Sequence, residues 1–98
     1  MTIQQTKNGS VLTLAPAGRL DTVTAPELDA VLSEALPGIT ALTFDLAKLE
    51  YISSAGLRSL LSAQKKMNLV GSMRVINANE LVKEIFEVTG FTDILTLE

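Results

Sequence analysis

Two adjacent hydroxyls, Ser53 and Ser54, stand in the run Tyr51-Ile52-Ser53-Ser54-Ala55-Gly56-Leu57, where a turn after a strand-like segment gives way to a helix-like one. A serine at such a junction has two chemical uses. As an N-cap it accepts hydrogen bonds from the free amides of the first helical turn, and Ser54 is placed for that role. The same amides, with the positive end of the helix dipole, favour a phosphate on that oxygen. Gly56 falls inside the first turn, where glycine costs about 1 kcal/mol relative to alanine. Either something must approach the backbone closely there, or the glycine relieves crowding against a neighbouring loop. On local chemistry alone, a plain cap and a crowding glycine are the simpler reading. Nucleophilic catalysis would need an adjacent base. The chain has no histidine, and no spacing fixes Lys48 near Ser54.

The other candidate groups offer less. Asp21 and Asp45 both fall near strand ends, where paired carboxylates could hold a cation, but their spacing matches no dedicated metal loop. A turn at Asp21 and a solvent-facing strand end at Asp45 account for them. Gly18-Arg19-Leu20-Asp21 has one glycine where phosphate-cradling loops have several. Arg58, Lys65 and Lys66 run along one helix without interleaved aromatics, the pattern of a solvated face rather than a nucleic-acid surface. Composition and spacing therefore point to no catalytic residue, no cofactor site and no metal site.

The elements that must position these groups are readable from periodicity. Ile3–Thr6 and Val11–Ala15 are β-prone runs around Lys7-Asn8-Gly9-Ser10, and Asn-Gly between such runs predicts a hairpin whose two central residues tolerate positive φ. Pro16 and Gly18 close the second strand. Leu28, Val31, Leu32, Ala35 and Leu36 recur at helical spacing. Thr24-Ala25-Pro26-Glu27 reads as a capping box with proline in the first turn, Thr22 being a rival cap. Pro37-Gly38 ends this helix. Ile39–Leu46 is apolar on both faces, as in a strand inside a sheet. The chain then turns between Lys48 and Ile52. A second helix follows Ser53-Ser54, with Leu57, Leu60, Leu61 and Met67 as its buried stripe, and ends at Asn68–Gly71. Met73–Ile76 reads as a strand. A third helix, capped by Asn77 or Asn79, turns Leu81, Val82, Ile85 and Phe86 inward and stops at Thr89-Gly90. Phe91–Leu97 is expected to be a closing strand. The order is β-β-α-β-α-β-α-β, an α/β fold with helices packed on a mixed sheet and right-handed crossovers.

Length and composition bound the rest. Ninety-eight residues with 47% hydrophobic content make one domain, 1–98, with a single core. The absence of His and Cys excludes histidine triads, His-ligated zinc, disulfides and thiolate chemistry. Eight basic against eleven acidic side chains leave a net charge of −3, which argues against nucleic acid. No apolar stretch spans a bilayer and no basic, apolar leader follows Met1. A cytoplasmic domain whose partners are proteins is the expectation.

Three segments in register carry a resemblance. Gly18-Arg19-Leu20-Asp21 with Thr24-Ala25, then Asp45-Leu46 through Leu49–Leu57, then Val88-Thr89-Gly90-Phe91 resemble the STAS domain, and more narrowly the stand-alone bacterial anti-sigma factor antagonists. The resemblance runs over essentially the whole chain. It implies a phosphorylation-controlled binding module, not an enzyme. The partner is an anti-sigma factor that is itself a serine/threonine kinase and binds the ATP. The unphosphorylated antagonist sequesters it and so frees a sigma factor; the phosphorylated form cannot, until a phosphatase restores it. The family motif reads Asp-Ser-Ser/Thr-Gly-Leu, with the acceptor two before the glycine. Gly56 sets that register, so the acceptor position falls on Ser54. Ser53 replaces the aspartate and is a less favoured second acceptor, and Ala55 replaces the other hydroxyl. Asp21 matches the acidic residue of the family's first loop. The resemblance thus implies a partner-binding surface of Asp21, Thr22, Ser53, Ser54, Gly56 and Arg58. The alternative is an unphosphorylated STAS adaptor of a transporter ATPase or a signalling assembly, for which Ser54 is only a cap.

Overall fold

In the computed structural model, which describes residues 1–98, the first hairpin forms where expected. β1 (Thr2–Asn8) pairs antiparallel with β2 (Val11–Leu20). Asn8 pairs with Val11, so the loop is Gly9-Ser10, one residue later than the Asn-Gly turn predicted from sequence. Only Gly9 has positive φ there, at 64°. That is the pattern of a II′ turn, which needs glycine at its first central position and leaves Asn8 free to stay in the strand.

β2 is ten residues long and serves three neighbours. Its first half, Val11–Leu14, pairs in parallel with Ala41–Phe44 of β3 (Ala41–Asp45). Its end, Gly18–Leu20, pairs in parallel with β4 (Leu49–Ile52) after an irregularity between Gly18 and Arg19. β3 pairs in parallel with β5 (Ser72–Ile76), giving the order β1-β2-β3-β5. The helices are α1 (Ala25–Ala35), α2 (Ser54–Val70) and α3 (Glu80–Val88). α2 packs on α1, β4 and β5, and α3 packs on β4. This is the mixed-sheet α/β fold expected from periodicity.

Strand alternation builds the core. Leu12 and Leu14 of β2, Leu42 and Phe44 of β3, and Met73 and Val75 of β5 are buried. They meet Leu28 and Leu32 of α1, Leu57, Leu60, Ala63 and Met67 of α2, and Val82 and Phe86 of α3 in one cluster. The parallel register puts Thr13, Thr43 and Arg74 in one cross-strand row. Arg74 Nε donates to Thr43 Oγ1 at 3.0 Å, which accounts for a buried threonine.

The structure departs from the periodicity reading at several elements. Leu49–Ile52 is a strand rather than part of a turn; the turn is shorter, with Leu49 N donating to Leu46 O. The closing segment makes a single parallel bridge, Val75 to Leu97, instead of a strand. Phe91–Asp93 is a 3-10 turn, because Phe91, Ile94 and Leu95 follow helical rather than alternating spacing, and Leu95 N donates to Phe91 O. Asn79, not Asn77, caps α3, its Oδ1 accepting from Val82 N at 2.8 Å. Leu81, expected inward, is 48% exposed, whereas Phe86 is fully buried.

That last contrast sets a test. Phe86→Ala should destabilise the chain by about 3–5 kcal/mol through lost burial and a cavity. Leu81→Ala should stay within about 0.5 kcal/mol of wild type. Urea unfolding of the two variants separates them; equal losses would mean α3 is rotated from the orientation described.

Candidate functional site

The parallel pairing of β2 with β4 brings two loops side by side at the carboxyl ends of the strands. Arg19 pairs with Tyr51 and Leu20 with Ile52. The next link, Ser53 N to Leu20 O at 2.9 Å, carries the pairing into the first residues of α2. Open α/β sheets expose functional groups at this end, where loops leave the strands. Here the end of β2 presents Arg19, the loop after it presents Asp21, Thr22 and Val23, and the start of α2 presents Ser54 and Arg58, with Ser53 as its cap. The Arg19 guanidinium lies 4.4 Å from the centre of the Tyr51 ring, a cation–π contact across the strand pair. Neither Arg19 nor Tyr51 was expected in the site, because their proximity depends on a strand register that no local pattern reveals. Val23, 82% exposed beside Asp21, was also missed.

Asp21 organises its loop. Its Oδ1 accepts from Val23 N at 3.0 Å and from Thr24 N at 3.2 Å. Its backbone N–H donates to Thr24 Oγ1 at 2.9 Å, and Thr24 Oγ1 donates to Arg19 O at 2.8 Å. The expected capping box of Thr24 with Glu27 is therefore not formed. Thr24 is the N-cap, but its hydroxyl is used upstream and makes no cap bond, while Glu27 lies 3.5 Å from the N-terminal amine. The aspartate, reaching back-to-front across its own turn, takes over the free amides. The Thr24 amide, then the Val23 amide, the Thr24 hydroxyl and the nearby Arg19 hold the Asp21 carboxyl below the ordinary aspartate range, against the opposing pull of desolvation.

The N-cap of α2 falls one residue earlier than expected from sequence. Ser53 is the N-cap, with extended backbone, and Ser54 is the first residue of the helix. Ser53 makes no side-chain cap bond, and its Oγ is enclosed without a partner. Ser54 is exposed and its hydroxyl makes no hydrogen bond within the chain. The shift follows from the strand pairing, which holds Ser53 N on Leu20 O and lets Ser53 O accept from Leu57 N as the first helical bond.

Gly56 explains how close the two loops come. A Cβ at this position would lie 2.7 Å from Leu20 Cγ, 2.7 Å from Ile52 Cγ1 and 3.0 Å from Leu20 O. Both side chains are fully buried. Gly56 is itself buried, so it acts by letting the first turn of α2 settle onto the ends of β2 and β4. The crowding reading holds.

Beside Ser54 a cleft of about 420 Å³ opens between α1 and α2, lined by Thr22, Pro26 and Asp29 on one side and Ala55, Arg58 and Ser62 on the other. Arg58 is exposed and pairs with no carboxylate. Asp45 is not brought to Asp21 as a carboxylate pair: its Oδ1 accepts from Ala47 N and Asn77 Nδ2, both at 3.1 Å. The Lys48 side chain is exposed and bonded to nothing. What the geometry assembles is a small surface of mixed charge on which the Ser54 hydroxyl is free, suited to binding.

Two measurements follow. Gly56→Ala should lower stability by about 1–3 kcal/mol, the cost of overpacking, read from urea midpoints; wild-type stability would contradict the close approach. The lowered pKa of Asp21 means its ionised form stabilises the fold at neutral pH. That contribution is present above the unfolded value of about 3.9 and is lost as pH falls through the lower folded value. The stability gap between wild type and Asp21→Asn should therefore shrink as pH drops below about 4; a gap independent of pH would show that the charge is not what orders the loop.

Comparison with known proteins agrees with this architecture. A family model described as the STAS domain matches residues 2–98. A protein of Bordetella bronchiseptica named as an anti-sigma factor antagonist, BtrV, is 32% identical over 96 residues, covering 96% of this chain and 83% of its own length. The crystal structure of an anti-sigma factor antagonist from Mycobacterium paratuberculosis is 25% identical, with a TM-score of 0.86 over 98% of this chain and 83% of that one. The Bacillus cell fate determinant SpoIIAA in its phosphorylated form shares the fold at 17% identity, with a TM-score of 0.77 over 99% of this chain and 91% of that one. No helix here is long and apolar enough to cross a membrane. With the match running from the first strand to the last residue, the chain belongs to the STAS domain family.

Proposed function

We propose that this chain is an anti-sigma factor antagonist, a binding module that sequesters an anti-sigma factor serine/threonine kinase and is released when Ser54 is phosphorylated. The observation that carries this reading is the contrast between the serines. Ser54 offers an exposed, unbonded hydroxyl, whereas the Ser53 oxygen is enclosed. A kinase can reach the first without disturbing the fold and cannot reach the second without opening the β2–β4 junction. The relative named as an anti-sigma factor antagonist and the phosphorylated state of a structural neighbour support the same assignment.

In the proposed complex the partner contacts Asp21, Thr22 and Val23 from the loop after β2, and Ser54 and Arg58 from α2. Gly56 and Ser53 shape the surface from beneath. The γ-phosphoryl group passes from ATP held by the kinase to Ser54 Oγ, the hydroxyl proton leaves to a base on the kinase, and ADP departs. The product carries about −1.5 to −2 charge where a neutral hydroxyl stood. A helix N-terminus tolerates such an anion, so the domain keeps its fold. Against a surface built for the hydroxyl, and beside the ionised Asp21, the same charge brings repulsion and uncompensated desolvation. Each 1.4 kcal/mol lost is about tenfold in affinity, so a few kcal/mol separates a complex from its components. A phosphatase resets the chain.

The test is binding to the anti-sigma kinase by calorimetry. Ser54→Asp should melt like wild type and bind at least about 100-fold more weakly, a loss near 2.7 kcal/mol. Ser54→Ala should bind like wild type and remain bound after ATP is added. Full-strength binding by Ser54→Asp would remove the switch, and ATP-driven release of Ser54→Ala would move the acceptor elsewhere.

A further inference from the structure

We infer that Arg58 is the intramolecular partner of a phosphate on Ser54, an inference that rests on the phosphorylation proposed above and deepens it. Ser54 is the first residue of α2 and Arg58 lies four residues on. Side chains at that spacing share a helix face, with Cβ atoms about 5–6 Å apart, and the favourable order places the anion N-terminal to the cation. The guanidinium presents a planar fork that matches phosphate oxygens.

The neighbouring charges leave Arg58 as the available cation. From the end of β2, Arg19 is held over Tyr51 at 4.4 Å and lies 3.9 Å from Asp21 Oδ2. Asp21 repels a phosphate, and its carboxyl is already occupied by the amides of its own turn. From α1, Asp29 lines the same cleft as Arg58 yet forms no ion pair with it, and Glu27 is turned to the N-terminal amine. From β4, Glu50 is exposed and Tyr51 lies under Arg19. Lys66 lines the same cleft, exposed and unpaired, but sits twelve residues along α2 from Ser54, so Arg58 is the exposed cation without a counter-ion that lies one turn from Ser54.

Phosphorylation then changes the surface twice. It adds an anion at Ser54, and it draws the Arg58 guanidinium out of the surface offered to the partner. A carboxylate on the kinase that meets Arg58 in the unmodified complex would lose that contact in the same event. The pair also keeps the phosphate dianionic at neutral pH, since a bound guanidinium favours the more highly charged form.

The experiment uses the full chain made with phosphoserine at position 54 by synthesis or genetic encoding, so it does not depend on any kinase. The second ionisation of the phosphate, about 6 in an unperturbed phosphoserine, is followed by phosphorus NMR. In wild type it should lie below that value, and Arg58→Gln should raise it by about half a unit. Arg58→Lys should recover part of the shift, as a point charge without the fork does, and Arg19→Gln should leave it in place. Identical titration of wild type and Arg58→Gln, or a shift carried by Arg19 instead, overturns the inference. Failure of the switch itself looks different: the phosphorylated chain would bind the anti-sigma kinase as tightly as the unmodified one, with the Arg58-dependent shift unchanged.

Discussion

The contact on which the rest of the structure depends is the seam between the end of β2 and the end of β4. Three things meet there: the parallel pairing of Leu20 with Ile52, the Ser53 N–H on Leu20 O, and the missing side chain of Gly56 over both apolar residues. Each needs the others. The pairing sets the height of Ile52, and that height decides where α2 begins. With a Cβ on residue 56 the first turn of α2 would have to lift off Leu20 and Ile52, and the hydrogen bond at Ser53 would lengthen. The one-residue placement of the two serines, one enclosed and one free, is a consequence of this seam rather than of anything in the serines themselves.

The opposite side of the site is organised by charge instead of packing. Asp21 satisfies its own turn, and the Thr24 and Val23 amides hold its carboxyl below the ordinary aspartate range. Such an aspartate is a fixed negative point whose position is set by the backbone. It gives the surface an electrostatic reference against which any change at Ser54 is felt. Arg19 is similarly committed, over Tyr51 and toward Asp21. The end of β2 and the loop after it therefore form a nearly charge-balanced surface, and the unpaired groups lie on α2.

How much of this was legible in the chain follows from the range of the interactions. Elements held by local periodicity were readable: α1, α2 and α3, the hairpin, and β3 with its apolar residues on both faces. The segment that joins β4 to α2 stood out too, because Ser53, Ser54 and Gly56 fall within four residues. Features set by partners distant in sequence were not. β4 is four residues of mixed polarity, and only its pairing with β2 makes it a strand. Thr24 and Glu27 have the spacing of a capping box, but Asp21 and Arg19 compete for the threonine hydroxyl and win by proximity. Ser54 looks like a cap until the bond from Ser53 to Leu20 fixes the start of the helix one residue earlier. Phe91–Leu97 alternates well enough to suggest a strand, yet its apolar residues also fit one turn of helix, and that turn is what buries Leu95.

Stability and the proposed recognition thus rest on different atoms of one short segment and the loop beside it. Ser53, Gly56 and the Asp21 carboxylate hold the loops together, and changing any of them draws on a net folding free energy of only about 5–15 kcal/mol. Ser54 Oγ and the Arg58 guanidinium hold nothing together, since neither makes a hydrogen bond or ion pair within the chain. A group added to Ser54 leaves every folding contact in place, so its full electrostatic effect falls on whatever binds the surface. A switch built on Ser53 would have to break the seam first and would trade stability for signal. The proposed switch on Ser54 needs no change of backbone: the affinity difference between the two states would come from the added charge and the side chain it draws to itself, on a scaffold that is the same in both.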